Sequence, residues 1–324
     1  MFVGAELAAW LDDPQRQAEA REAADEFTKR WIARPAVREL QHALRSLNPK
    51  TADAVLAAAL QFMARADDLR DLVCDFNAAA AENPFFRPHF MLLGSDVAIS
   101  ILLYGDPSVS ISLGVTSADA LAAKKGGKRG ASSIAFSGLQ SAFQFLKSGG
   151  ATLSFWEAPE SDGTFADDQG GHCRFVERRR VEDGETLLLD GRTQSFVIEH
   201  ATSDMVYLQA EVHVDRAPLA VEYDSRTLAL VGASSTDEIS SRVQMMVSLL
   251  RLMDRRDAAP VVARLIERAP FHTRWYLMRE LLALDAEAAL PVLGRLAESD
   301  PHPEVRATAA QTLKLFFGAD EEAA

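Results

Sequence analysis

Histidines and carboxylates that could bind a metal ion are concentrated in residues 172–213 of the 324-residue chain. His172, His200 and His213 lie in this stretch, and Glu177 follows the first of them closely. Two imidazoles and one carboxylate are a usual ligand set of a non-haem Fe(II) centre. If the fold brings them together, these side chains could hold iron or another divalent metal; otherwise they are separate surface or core residues.

A second group of candidates comes from the alternation of apolar and polar residues over 206–214. This is the pattern of a strand with one face on the core. If the apolar face meets the core, His213 points away from it, whereas His200, which has the parity of Phe196, points inward. Inside a barrel, however, the polar face would line a ligand site. The candidate ligand-binding residues are Gln194, Tyr207, Gln209 and Glu211.

Short strands must position these candidates, because apolar residues between about 90 and 233 recur with a period of two. Turn sequences such as Asp183-Gly184 separate the runs. Many short strands without long helices between them predict an antiparallel sandwich or barrel. The stretch 122–133 is predicted to be a flexible loop within it. Its Lys124, Lys125, Lys128 and Arg129 could hold a phosphate, although a solvated loop is the alternative.

The sequence GETLLLDG at 184–191 resembles the start of the second conserved motif of the cupin family. Gly184 matches that motif, Asp190 stands where the family has proline, and Gln194 or Ser195 occupies the position of the metal-binding histidine. The resemblance implies a cupin-like barrel with a ligand site inside it. The histidine of this motif is missing, and the family's first motif, His-x-His followed by Glu, has no counterpart.

Helical segments are predicted on both sides of the β-region. Residues 1–83 carry apolar residues at helical spacing between prolines, and the Asp-Pro and Asn-Pro pairs at 13–14 and 48–49 are expected to begin helices. The predicted division is a helical segment 1–83, a cupin-like β-domain 84–235 and helical repeats 236–324. The fold class is therefore α+β, with an antiparallel β-sandwich or barrel flanked by helices.

An internal repeat marks the C-terminal segment. Arg242, Arg274 and Arg306 are 32 residues apart, and each is followed by apolar residues at +3, +7 and +10. A repeat of this length indicates an α-solenoid, and DPHPEVRATAAQTLKLF at 300–316 resembles a HEAT repeat. We expect the arginines to bond the neighbouring turn; gripping a partner is the alternative. The candidate partner-binding residues are Trp275, Tyr276 and Arg279, of which Trp275 could instead pack between repeats.

Charge and cysteine content narrow the choice of partners and compartment. The chain carries 34 basic and 47 acidic side chains, a net charge of -13, which disfavours nucleic acid and anionic membranes. Two distant cysteines suggest neither a disulfide framework nor a zinc site. Without a signal peptide or a long apolar run, a cytoplasmic location is expected. A protein or peptide partner and a small molecule are the expected ligands.

Two functions follow from these features. The first is a non-catalytic accessory or binding protein, whose cupin-like domain holds a small molecule or peptide while its HEAT-like repeats dock a protein partner. The second is an Fe(II)-dependent cupin-type oxygenase acting on a small molecule or peptide. Loss of the cupin metal motifs favours the first, whereas the three histidines of the β-region favour the second.

Overall fold

The computed structural model describes residues 4–83, 85–126, 133–160 and 171–317. The chain forms two compact units, and each is assembled from separate stretches of sequence. The first unit comprises Met1–Gly130, Leu139–Glu157 and Phe175–Arg216; the second comprises Ala131–Gly138, Ala158–Arg174 and Ala217–Ala324. The predicted β-segment 84–235 thus contributes strands to both units.

The described residues of the first unit contain six helices. They are α1 (Ala5–Leu11), α2 (Pro14–Ile32), α3 (Pro35–Ser46), α4 (Ala52–Met63), α5 (Ala66–Glu82) and α6 (Ala118–Gly126). Asp13 caps α2 as predicted, because its carboxylate accepts hydrogen bonds from the two amides that follow Pro14. The helix start predicted at Asn48-Pro49 is wrong: Thr51 is the N-cap of α4.

The segment predicted as a flexible loop at 122–133 is helical in its first part. Helix α6 runs to Gly126, and Lys124 and Lys125 lie 3.7 and 2.9 Å from the carboxylates of Asp96 and Glu199. Alanine and lysine favour this helix, and these ion pairs hold its side chains. Lys128 and Arg129 lie outside the described residues.

Nine strands are also found among the described residues of this unit. They are β1 (Leu92–Gly94), β2 (Ala98–Gly105), β3 (Val109–Thr116), β5 (Gln140–Lys147), β6 (Thr152–Glu157), β7 (Arg174–Arg180), β8 (Thr186–Asp190), β9 (Gln194–His200) and β10 (Met205–Val212). The six-stranded sheet has the order β1-β2-β3-β10-β5-β8 and is antiparallel throughout. A smaller sheet has the order β7-β6-β9. Each sheet has two open edges in the described residues.

The six-stranded sheet separates two apolar cores. On one face, Leu208 and Ala210 of β10 pack with Val55 of α4 in the core shared with the N-terminal helices. On the other face, Met205 packs with Phe145 in a second core that includes residues of the smaller sheet. Along β10, Leu208 and Ala210 therefore face the helical core, whereas Met205 and Tyr207 of the opposite face belong to the second core.

Trp31 ties the helices to this sheet. The pairing of β2 with β3 skips from Leu102 to Tyr104, so Leu103 is a bulged residue. The buried indole Nε1 of Trp31 donates a hydrogen bond of 2.8 Å to the carbonyl of Leu103. The indole thereby satisfies a polar group at the bulge.

The second unit combines a small sheet with a helical region. Its sheet, β12-β11-β4, is antiparallel and consists of β4 (Ser133–Phe136), β11 (Leu219–Asp224) and β12 (Leu230–Ser235). The helices are α7 (Glu238–Leu252), α8 (Ala259–Arg268), α9 (Phe271–Leu284), α10 (Ala286–Ser299) and α11 (Pro303–Phe317). Pro260 opens α8, whereas Pro291 lies inside α10 because Asp285 caps that helix six residues earlier. The HEAT assignment stays a prediction.

Two of the three repeated arginines bond a turn, as predicted. Arg274 donates to the carboxylate of buried Asp300 at 2.9 Å, and Arg306 donates to the Asp300 carbonyl. The prediction is wrong for Arg242, which pairs with Glu238 on the exposed surface of its own helix. The reason is positional, because Met245 and Leu249, at +3 and +7 from Arg242, are exposed as well.

Side chains at equivalent positions of the repeat also differ in exposure between α7 and α9. Leu277 and Leu281 of α9 are fully buried, whereas the equivalent Met245 and Leu249 of α7 are 68% and 55% exposed. Helix α7 packs against α9 through its opposite face, where Val243 and Val247 join the core. Within the described residues, no helix is both long and apolar enough to cross a membrane.

Candidate ligand-binding site

The polar face of β10 carries two of the predicted ligand-binding residues. Gln209 Nε2 donates a hydrogen bond of 3.0 Å to Glu211 Oε1. Glu211 lies opposite Ser110 on β3 and Ser141 on β5. Burial raises the pKa of the Glu211 carboxyl, and hydrogen bonds from Ser110 and Gln209 offset this in part. Burial thus disfavours the ionised carboxylate of Glu211, although this side chain belongs to a hydrogen-bonded polar cluster.

Tyr207 and Gln194 have structural contacts. The ring of Tyr207 packs against Phe143 and Phe145. It lies so close to Gly114 that a Cβ there would stand 2.7 Å from two ring carbons. Gln194 Oε1 accepts a hydrogen bond of 3.1 Å from the amide of Asp190, across the turn between β8 and β9.

Asp190 and Arg192 form an ion pair in that turn. Arg192 donates to both carboxylate oxygens of Asp190, at 2.8 and 2.6 Å, and its hydrogen bonds lower the pKa of that carboxyl. An ion pair and an Asx-type bond to the Arg192 amide therefore shape the turn.

The structure places the metal candidates on separate elements. His172 belongs to the second unit, where it bridges to Ala229, while Glu177 is exposed on β7 and pairs with Arg179. His200 ends β9 and His213 follows β10, in different sheets. Among the described residues, no group of three or more His, Cys, Asp or Glu side chains could hold a metal ion.

The predicted inward orientation of His200 is wrong, because the residue is exposed. In the pairing of β6 with β9, Leu153 faces Ile198 but the next residue, Thr152, faces His200. This bulge adds one residue to β9 and breaks the alternation that begins at Phe196.

A groove lies at the junction of the N-terminal helices and the six-stranded sheet. Its volume is about 530 Å³. We call it the aromatic groove, and its lining consists of Phe76, Phe86, Arg87, Pro88, His89, Phe90, Leu92 and Ile101. Six of these eight residues are apolar, so the groove offers an apolar surface with two nitrogen-bearing side chains at its rim.

The wall of the aromatic groove is fixed by packing between aromatic rings. Phe27, in the buried core behind the groove, contacts Phe86 edge to face at 5.3 Å and Phe90 at 6.1 Å. Phe76 contacts Phe86 at 6.0 Å from the other side. Phe86 and Phe90 of the sequence ENPFFRPHF (82–90) therefore join the N-terminal helices to the sheet through aromatic packing.

The two polar residues of the groove differ in their surroundings. His89 Nε2 lies 2.6 Å from Asp25 Oδ1, and the His89 amide donates to Thr28. Arg87 is exposed, and among the described residues no carboxylate lies within ion-pair distance of it. The guanidinium of Arg87 is thus available to an anion at the rim.

The predicted partner-binding residues of α9 are mostly engaged. Trp275 and Tyr276 pack against the core of the helical region, and the Tyr276 hydroxyl lies 2.5 Å from the hydroxyl of Ser248. Arg279 is exposed. The apolar surface of the second unit lies instead on α7, at positions where the repeat register predicts buried residues.

Comparison with known proteins gives no family. No family model matches the chain, and no curated protein matches it. Solved structures that are similar to part of it include ectoine synthase from P. lautus (11% identity, 38% of this chain and 69% of that chain, TM-score 0.23), KdgF from Halomonas sp. (10%, 38% and 86%, 0.24) and a cupin domain from Bordetella pertussis (11%, 37% and 97%, 0.23). TM-scores of this size do not establish a common fold.

Proposed function

We propose that this protein is a binding protein whose aromatic groove holds a small apolar molecule with an acidic group. The observation that carries the proposal is the groove itself, an apolar recess of about 530 Å³. Pockets for small organic ligands have volumes of ~300–1,000 Å³ and combine an apolar lining with a few polar groups that fix orientation. The aromatic groove has both properties.

The rim supports an acidic group on the ligand. The chain has a net charge of -13, so an anion requires a local cation. Arg87 supplies one, and a guanidinium can bind a carboxylate through two hydrogen bonds. His89 is held by Asp25 and contributes an edge of the site rather than a free charge.

The cupin-like assignment of the first unit and the docking role of the second belong to the same proposal. The sequence GETLLLDG falls on a turn at Gly184, with φ of +80°, followed by β8, which agrees with the strand that a cupin-like assignment requires. We assign no reaction to the first unit and protein docking to the second, whose exposed apolar surface supports that role.

Titration with 8-anilinonaphthalene-1-sulfonate tests the groove, because this fluorophore combines an aromatic body with an anion. We expect saturable binding that Arg87→Gln weakens about fivefold, the ~1 kcal/mol of an exposed charged contact. Arg70→Gln is the matched control, since Arg70 is equally exposed but pairs with Asp67 on α5. Aromatic carboxylates should displace the fluorophore.

A second variant separates the groove from other apolar surface. Leu92→Trp places a larger side chain in the groove, and we expect it to abolish the saturable binding of the fluorophore. Met246→Glu, at an exposed position of α7, should leave this binding unchanged. Binding that depends on Met246 but not on Leu92 or Arg87 would refute the proposal.

A further inference from the structure

Helix α7 carries an apolar surface on the side that faces away from α9. We call it the α7 stripe, and its residues are Ile239, Met245, Met246, Leu249, Leu252 and Met253, which are 55–72% exposed. They recur at helical spacing on one face of the helix, which also carries the exposed Glu238–Arg242 ion pair. The other face, with Val243 and Val247, is already used in the core.

The α7 stripe does not have the composition of a surface that ends a helical array. Terminal helices of such arrays need a polar outer face for solubility. Met245 and Leu249 of α7 occupy the same repeat positions as Leu277 and Leu281 of α9. All four residues are apolar, but those of α7 contact solvent, whereas those of α9 are buried. The stripe therefore has the residues of a packed face without a packed neighbour in the described residues.

We infer that the occupant of the α7 stripe is the same stripe of a second copy of this chain, in antiparallel pairing across a two-fold axis. The first support is area. Six large apolar side chains, each more than half exposed, present on the order of several hundred Å². A stable interface removes about 800 Å² from each partner, so stripe on stripe supplies most of what a dimer needs.

The second support is the geometry of the pairing. A two-fold axis near Met246 lays the stripe of one helix on the stripe of the other in antiparallel orientation. This orientation sets the two helix dipoles in opposition, so the ends attract. The charged side chains near the ends of α7 are already paired within the chain, Glu238 with Arg242, Arg255 with Asp257 and Arg256 with Asp254.

Sedimentation velocity across the micromolar range tests this inference, because interfaces of this size have dissociation constants from micromolar downward. We expect a reversible dimer in the wild type. Met246→Glu places two carboxylates near the axis and should raise the dissociation constant at least about tenfold. Leu315→Glu, at a residue of α11 that is 77% exposed outside the stripe, should leave it unchanged.

Circular dichroism should show that each variant is folded. A wild type that stays monomeric at all concentrations overturns the inference and assigns the stripe to another occupant. A dimer that is insensitive to Met246→Glu overturns it as well.

Discussion

Replacing Asp300 with alanine should destabilise the C-terminal helical region by about 3 kcal/mol. The Asp300 side chain is completely buried, and Arg274, its partner at 2.9 Å, is 13% exposed. Removing one member of a buried pair leaves the other charge unpaired in the interior, at a cost of ~3–5 kcal/mol. Asp300→Ala also removes the acceptor of the His302 amide, 2.8 Å away. We expect the lower value of this range because part of the Arg274 side chain reaches solvent.

Hydrogen exchange of peptides from α9, α10 and α11 measures this loss. A change of 3 kcal/mol corresponds to roughly hundredfold faster exchange of the most protected amides. The double variant Arg274→Ala, Asp300→Ala should cost clearly less than the sum of the single variants. Arg242→Ala is the matched control, because its exposed pair contributes at most about 0.5 kcal/mol. Acceleration below fivefold in Asp300→Ala would refute the structural role of the pair.

Three further predictions concern the first unit and the histidines of the β-region. Glu211→Gln should stabilise the protein at pH 7. Burial raises the pKa of Glu211 in the folded state, so the protonated carboxyl contributes to stability at low pH and this contribution is lost as the pH rises through that pKa. Glutamine stays uncharged and avoids this loss. Urea midpoints should show an advantage of the variant that shrinks as the pH falls towards the unfolded-state value; an equal advantage at every pH would contradict this. Trp31→Phe should lower the free energy of unfolding by ~1–3 kcal/mol, since the Leu103 carbonyl loses its donor, and Trp10→Phe should cost less. Elemental analysis should find no stoichiometric metal that depends on the three histidines of the β-region; bound iron lost on their replacement by alanine would favour the oxygenase.

The sequence predicts the classes of element well, because local patterns decide them. Period-two alternation locates β10, and the Asp-Pro pair locates the start of α2. Exposure and faces are less predictable. The bulge before His200 reverses an orientation that alternation had indicated, and the repeat register cannot tell buried Leu277 from exposed Met245. Both depend on how distant segments pair or fail to pair.

The candidate site shows the same limit. The residues of ENPFFRPHF are visible in the sequence as an aromatic cluster, but Leu92 and Ile101, which complete the groove, look like ordinary strand residues. Their role arises from the position of β1 at the edge of the sheet, next to α5. No periodicity in a single segment reveals a cavity formed by three segments.

The course of the chain through its two units restricts how this protein can be divided. Strand β4 pairs with β11, although about eighty residues lie between the two strands in the chain. These residues include Leu139–Glu157 and Phe175–Arg216, which belong to the first unit. A C-terminal fragment that begins near residue 217 would lack β4 and expose the edge of β11. Neither unit is therefore encoded as a contiguous cassette, and an insertion or truncation at the apparent boundary near 235 would damage a sheet rather than free a module.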